Sequence, residues 1–174
     1  MATVYIGLGA NIGNRESNLR MALRAMTRLA RVEAVSSLYE SEPVGPEQPS
    51  FYNAVCRIET GLEPQSLLRF LKNLEHEIGR RPGGPKWGPR PIDLDIVLYE
   101  ERVLETEELV IPHPLLAERA FVLIPLAEIA PEARHPVAGK TVSELAGGVD
   151  ASGVRGMKGI GWDGVAGTDE KVRL

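Results

Sequence analysis

The sequence holds one cysteine, Cys56, in 174 residues, so no disulfide can form within the chain and a reducing compartment is expected. Cys56 falls in an apolar strand pattern, where a buried structural thiol is the simpler reading than a nucleophile. No apolar run is long enough to span a membrane. The first residues do not read as a secretory leader, which points to the cytoplasm. Excess positive charge is also missing: the formal net charge of −4 argues against a general nucleic-acid binder. Aromatic residues, 5% of the chain, do not form the exposed pattern of an RNA-recognition sheet. No G-x-x-x-x-G-K-[ST] phosphate loop, internal repeat or second domain is visible. The length suits one domain with a proper core.

Within that domain the apolar pattern predicts a strand from Thr3 to Leu8, followed by Gly7-Leu8-Gly9-Ala10-Asn11-Ile12-Gly13. This resembles a dinucleotide fingerprint, with Glu33 at a suitable distance to meet a ribose. The glycine spacing is one residue too long, however, and a turn between strand and helix explains it as well. Asn14 can cap a helix whose apolar residues are Leu19, Ala22, Leu23, Met26, Leu29 and Ala30. A second strand is expected over Val32 to Tyr39, then a proline-stiffened loop from Glu40 to Ser50. The third strand, Phe51 to Glu59, turns Ala54, Cys56 and Ile58 to one face. Phe51, Asn53 and Val55 lie on the other, where an aromatic ring and an amide suit a flat heterocycle.

Pro64 opens a second helix with Leu67, Leu68, Leu71, Leu74 and Ile78 as its stripe, and Gly79 ends it. Glu75 lies just off that stripe. The loop from Gly79 to Arg90 carries Arg80, Arg81, Lys86 and Arg90, a charge set suited to a polyphosphate or simply to solvent. Next comes a strand in which Asp93 and Asp95 share one face while Leu94, Ile96 and Leu98 face the other way. Two parallel carboxylates after a basic loop suit magnesium in phosphate chemistry, although a solvated strand face would look the same. Arg102 to Ile111 reads as a hairpin or edge strand, and Leu115 to Arg119 as a short helix. Val122 to Leu126 looks strand-like. His113, held between Pro112 and Pro114, is a candidate ligand contact. Eight of the 18 glycines lie from Gly147 onward, so irregular chain is expected there.

The order β-α-β-β-α-β predicts an α+β, ferredoxin-like antiparallel sheet with its helices on one face, plus a C-terminal extension. Residues 1–146 read as the single domain and 147–174 as its Gly-rich tail. The two long loops would border the helix-free face.

Lys86-x-Gly88-Pro89-Arg90-x-x-Asp93-Leu94-Asp95-Ile96-Val97 resembles the motif of the 6-hydroxymethyl-7,8-dihydropterin pyrophosphokinases of folate biosynthesis. Gly9-x-Asn11, Tyr39-x-Ser41-x-Pro43-x-Gly45, Phe51-x-Asn53, Pro112-His113-Pro114 and Arg119-x-Phe121 follow the family's order over about residues 3 to 140. The resemblance implies transfer of the β,γ-pyrophosphoryl group of ATP to the pterin hydroxymethyl oxygen, giving AMP. It implies catalytic roles for Arg80, Arg90, Asp93 and Asp95, with the two aspartates carrying two magnesium ions. The pterin would sit between Phe51 and Phe121, its edge read by Asn53 and by Ser41, Pro43, Val44 and Gly45. Glu75, Arg80, Trp87, Arg90, Ile96, His113 and Arg119 would meet ATP. Where relatives often carry a further lysine in the basic loop, this chain has Gly83-Gly84, which leaves Arg81 or Lys86 to clamp phosphate. The pterin loop is shortened near Gln48.

Three other readings compete. One is a ferredoxin-like module binding RNA or a metabolite without chemistry. The others are a magnesium-dependent kinase making ADP and a dinucleotide enzyme. A monomer is expected, since no large extra apolar surface is evident.

Overall fold

The structure, a computed structural model, describes residues 1–43, 45–79, 89–159 and 162. Local signals set several element ends. Strand β1 (Ala2–Ala10) is followed by helix α1 (Arg15–Met26), which begins at Asn14, whose side chain accepts the Ser17 N–H at 3.0 Å. Leu19, Ala22, Leu23 and Met26 form its buried face. Leu29 fits the same spacing but lies beyond the helix and is exposed. Helix α2 (Pro64–Ile78) starts on a proline, which needs no N–H partner there, and stops on Gly79 at φ 117°.

The strand expected over residues 32 to 39 is broken into β2 (Arg31–Val35) and β3 (Leu38–Ser41). Between them the Ser36 hydroxyl, not a backbone carbonyl, takes the Val55 N–H at 2.9 Å, which ends the regular ladder. Strands β4 (Phe51–Thr60) and β5 (Asp93–Tyr99) follow, then a small hairpin of β6 (Leu104–Glu105) and β7 (Val110–Ile111). Among the described residues, the main sheet runs β5-β1-β4-β3, with β2 also pairing with β4, and these pairs are antiparallel.

Val4, Ile6 and Leu8 of β1, with Cys56 and Ile58 of β4, turn to one face and are covered by α1 and α2. Leu67, Leu71 and Leu74 of α2 are fully buried there, each stabilising by about 1.5–3 kcal/mol relative to an exposed position. Cys56 is a free thiol in this core, and burial pushes it up to about 12.

Four expectations need correction. The run from Val122 to Leu126 is not a strand but part of helix α3 (Ala120–Ile129), preceded by a 3-10 turn at Leu116–Glu118. Its sequence is apolar on nearly every side and contains Pro125, so periodicity alone could not tell helix from strand. Helices also occupy both faces of the sheet. Leu123 and Leu126 of α3 and Val142 of α4 (Val142–Gly147) pack with Val55 and Val97 on the side opposite α1 and α2. Leu98 joins this second cluster because β5 is bulged: Tyr5 pairs with Leu98 but Ile6 pairs with Ile96, so the side-chain alternation reverses there.

Finally, the tail is not irregular throughout. Strand β8 (Val154–Lys158) pairs antiparallel with β3 and extends the sheet. Trp162 is 1% exposed, its Nε1 donates to Ser36 O at 3.0 Å, and Arg20 lies 5.2 Å from its ring centroid. Lys158 Nζ sits 2.8 Å from Glu16 of α1. Such contacts hold a glycine-rich segment that has little core of its own. No helix among the described residues is long and apolar enough to cross a membrane. Replacing Trp162 by Ala should lower unfolding free energy by about 3 kcal/mol, read as a shift of the urea midpoint. An unmoved midpoint would mean that the tail is only loosely attached.

Candidate active site

The register of β1 against its neighbours builds the floor of the site. Asp93 and Asp95 of β5 lie opposite Gly9 and Gly7 of β1. On the other side of β1, Gly9 lies opposite Asn53 and Gly7 opposite Val55. A row across the sheet therefore reads carboxylate, glycine, amide. A Cβ built on Gly9 would stand 3.3 Å from Asn53 Oδ1 and 3.5 Å from the Phe51 ring, and one on Gly7 would stand 3.3 Å from Val97 Cγ2. The two glycines leave a bare strip of backbone between the acidic and amide–aromatic sides. The turn-like glycine pattern in the sequence is this strip. The dinucleotide reading fails on topology, since both neighbours of β1 are antiparallel and no parallel βαβ unit is formed at this strand.

Above the floor lies a cleft of about 320 Å³. Its lining includes Ser41, Phe51 and Asn53 on one side and Arg90, Asp93, Asp95, His113, Arg119 and Phe121 on the other, all anticipated from sequence. Gly7, Gly9, Glu42, Lys72, Val97 and Leu116 also line it and were not anticipated. For Lys72 a signal existed: it lies three residues before Glu75 on α2. Glu75, Ile96, Pro43 and Gly45 stand outside the lining. Val44, Arg80, Arg81, Lys86 and Trp87, together with the Gly83-Gly84 departure, lie outside the described residues.

Two of these placements have clear physical causes. Among the described residues β5 is an edge strand, so the outward N–H of Leu94 needs a partner. Glu75, only 2% exposed, supplies it, its Oε2 accepting Leu94 N at 2.7 Å. Its other oxygen lies 3.3 Å from Lys72 Nζ, which points Lys72 toward the cleft. Ile96 packs its side chain into the main core.

Asn11 is a further hub. Buried to 2% exposure, its Oδ1 accepts Arg90 N at 2.7 Å and its own N–H donates to Arg90 O at 3.0 Å. Its Nδ2 donates to Gln48 Oε1 at 2.8 Å and to Pro49 O at 3.0 Å. One amide thus ties the end of β1 to both long loops. On the amide side, Asn53 Nδ2 donates to Ser41 Oγ at 2.5 Å, which turns Oδ1 toward Gly9 and the cleft.

The electrostatics are divided. Burial, and then the neighbouring Asp93, push Asp95 up to about 7. Arg90 Nη1 is 3.9 Å from Asp93 Oδ1. Burial pulls Arg119 down from its ordinary value while Asp95 and Asp93 oppose it; its Cζ is 5.4 Å from the Phe121 centroid. His113 is lowered to about 4 by burial and then by Arg119, so the ring is neutral near pH 7. Its Nδ1 accepts Leu115 N at 3.2 Å, which assigns the ring proton to Nε2, a donor suited to an anionic oxygen.

Two half-buried carboxylates on one face supply hard oxygen donors for a divalent cation. Among the described residues no group of three or more His, Cys, Asp or Glu is gathered to hold a metal ion. The dyad therefore fits an ion that completes its shell with water and substrate oxygens, as magnesium does. Carboxylates facing cations, beside an aromatic–amide wall, give this cleft a chemistry suited to phosphate groups next to a flat heterocycle.

The comparisons agree. Residues 5–131 match the family described as 7,8-dihydro-6-hydroxymethylpterin-pyrophosphokinase (HPPK). A 2-amino-4-hydroxy-6-hydroxymethyldihydropteridine pyrophosphokinase of Aquifex aeolicus is 44% identical over 146 residues, covering 83% of this chain and 91% of its own. The Bacillus subtilis protein of the same name is 48% identical, covering 72% and 76%. Folic acid synthesis protein fol1 of Pneumocystis carinii is 46% identical, but this chain spans only 19% of its length. A Plasmodium falciparum HPPK-DHPS structure with pteroate superposes with a TM-score of 0.70 at 16% identity, covering 84% of this chain and 44% of that one. The chain belongs to the 7,8-dihydro-6-hydroxymethylpterin-pyrophosphokinase family.

The dyad gives a stability prediction. Asp95 is raised from the ordinary 3.8 to about 7, so between those values the folded state binds more protons than the unfolded state. Stability of the ligand-free protein is therefore highest on the acid side of this window and falls as pH rises through about 7. Asp95→Asn should remove this fall and gain about 1–2 kcal/mol at pH 8. Thermal melts of both proteins at pH 5.5 and 8 check it.

Proposed function

We propose that this chain transfers the β,γ-pyrophosphoryl group of ATP to the hydroxymethyl oxygen of 6-hydroxymethyl-7,8-dihydropterin. The products are the pterin diphosphate and AMP. Family membership supports the reaction. The observation that carries the site is the row Asp93, Gly9, Asn53: a carboxylate suited to metal and phosphate and an amide suited to a heterocycle edge, one glycine apart on one floor.

The hydroxymethyl oxygen attacks the β-phosphorus as the bond from that phosphorus to the bridging oxygen of the α-phosphate breaks. AMP leaves with that oxygen, and the hydroxyl proton passes to solvent. Phe51 and Phe121 hold the pterin ring, and Asn53 Oδ1 accepts from its edge, with Ser41 keeping the amide in that orientation. Arg90, Arg119 and the Nε2–H of His113 take phosphate oxygens, and Lys72 adds a cation from α2. Arg80 and Trp87 are proposed to complete the phosphate and nucleotide contacts. Val44, with Pro43 and Gly45, would edge the pterin loop. Ile96 would meet the nucleotide through the backbone of edge strand β5, and Glu75 would act through Lys72 and Leu94. Asp93 and Asp95 would hold magnesium, two ions being proposed, and bound metal supplies neutralisation of phosphate charge. These roles are electrostatic and positional, which suits phosphoryl chemistry, and no residue is assigned as nucleophile.

The proposal extends to a ferredoxin-like catalytic domain over residues 1–146, to whose sheet the tail adds strand β8, monomeric and cytoplasmic, with no nucleic-acid partner. The strand order β5-β1-β4-β3 supports the topology.

The nucleotide product is the direct test. With ATP, magnesium and the pterin, chromatography should show AMP formed in step with pterin diphosphate. Asp93→Ala or Asp95→Ala should lower turnover by at least about 1000-fold. ADP as product would make the enzyme an ordinary kinase and overturn the reading. Separately, Asn53→Leu should raise the pterin KM about 10- to 100-fold, the cost of an unmet donor. Affinity for a non-hydrolysable ATP analogue, measured by calorimetry, should hardly change.

A further inference from the structure

Behind the pterin side of the cleft, on the opposite face of the sheet, lies a polar network that the reaction does not use. Its centre is Glu40 of β3. The Glu40 side chain is 11% exposed and points away from the cleft, on the same face as the core residue Leu38. Its Oε2 accepts the Ser50 hydroxyl at 2.6 Å and lies 3.4 Å from Arg15 Nη1. Its Oε1 accepts from Arg155 Nε at 2.8 Å and also pairs with Arg155 Nη2.

Glu40, near the end of β3, and Ser50, just before β4, flank the loop between these strands, so their hydrogen bond closes its base. Arg15, at the start of α1, tightens the same closure. Its Nη1 donates to Ser50 O and Ser50 Oγ, both at 3.0 Å, and its guanidinium carbon lies 3.8 Å from the Tyr52 ring centroid. Arg155 comes from β8, directly opposite Glu40 in the ladder, and Glu42 N continues the pairing to Gly153 O at 3.1 Å. The Ser50 hydroxyl and then Arg155 hold the Glu40 carboxyl below its ordinary value, so it is ionised near pH 7.

We infer that Glu40, held between Arg15 and Arg155, is a positioning residue for pterin binding, and that strand β8 takes part in substrate recognition by holding it. The inference rests on the pterin reading of Ser41, Phe51 and Asn53. Its logic is one of registry. Glu40 pairs across the ladder with Tyr52, and its chain neighbour Ser41 pairs with Phe51 and orients Asn53. Fixing Glu40 from behind therefore fixes the groups in front. Glu42, Gly45, Pro46 and Glu47 are exposed and add no core, so loosening the base should cost recognition before it costs fold.

Arg155 is the place to test this, because its side chain is 73% exposed and its removal leaves no cavity. In the full chain, Arg155→Ala should raise the pterin KM about fivefold while kcat and ATP-analogue affinity stay within about twofold. Arg155→Lys should restore most of the loss. Hydrogen exchange of the amides between 45 and 50 should quicken in Arg155→Ala, with α2 amides unchanged. That readout needs no turnover, so it tests the clamp even if the substrate were different; wild-type failure to make AMP would count against the reaction alone. An unchanged exchange pattern, an unchanged pterin KM, or an equal loss of ATP-analogue affinity would overturn the inference.

Discussion

Two carboxylates on one face of one strand repel each other, and much of this structure is arranged around that repulsion. Asp93 and Asp95 sit where strand alternation puts them, and burial, with the charge of Asp93 added to it, pushes Asp95 up to about 7. Arg90 and Arg119 offset part of it, and Lys72 lowers it from a third direction. None of these cations is positioned alone. The Arg90 backbone is held by Asn11, Lys72 leans on Glu75, and Arg119 lies between the 3-10 turn and α3. The ligand-free site is thus poised for more positive charge, such as a divalent cation would bring.

The sheet divides the work by face. One side, packed under α1 and α2, is a conventional apolar core. The other is split: α3 and α4 cover the stretch around Val55 and Val97, and the strip beside it stays open as the cleft. The open strip can exist because Gly7 and Gly9 present no side chains to pack. A sheet with larger residues at both positions would fill the strip, and the carboxylates and amide would then have no shared space.

Legibility in the sequence followed the range of the physics. Asn14 capping Ser17, Pro64 opening α2 and Gly79 closing it are local effects, and each could be read from a few residues. The shared face of Asp93 and Asp95 follows from strand period, although it could not reveal that Glu75 would spend its carboxylate on the edge N–H of Leu94. α3 escaped because it is buried on several sides and so shows no polar stripe. β8 escaped because glycines hide the strand pattern and its anchors, Glu16, Ser36 and Glu40, lie more than a hundred residues away. The family resemblance located more of the cleft than spacing alone, yet it did not include Lys72, which occupies a helix position outside the quoted motifs.

The glycine pair shows why a motif must be read with its register. G-x-G after a strand suggests a turn toward a phosphate when a parallel βαβ unit follows, because a helix N-terminus then faces the ligand. Here both glycines are still inside β1, two residues apart and on one face, each paired with an aspartate. Their small size serves the sheet floor, where a Cβ at Gly9 or Gly7 would crowd Asn53 or Val97 at 3.3 Å. The same three letters thus bring a ligand near backbone in two unrelated ways. Which one applies is decided by the direction of the neighbouring strands, a property carried by β4 and β5, far along the chain from the glycines.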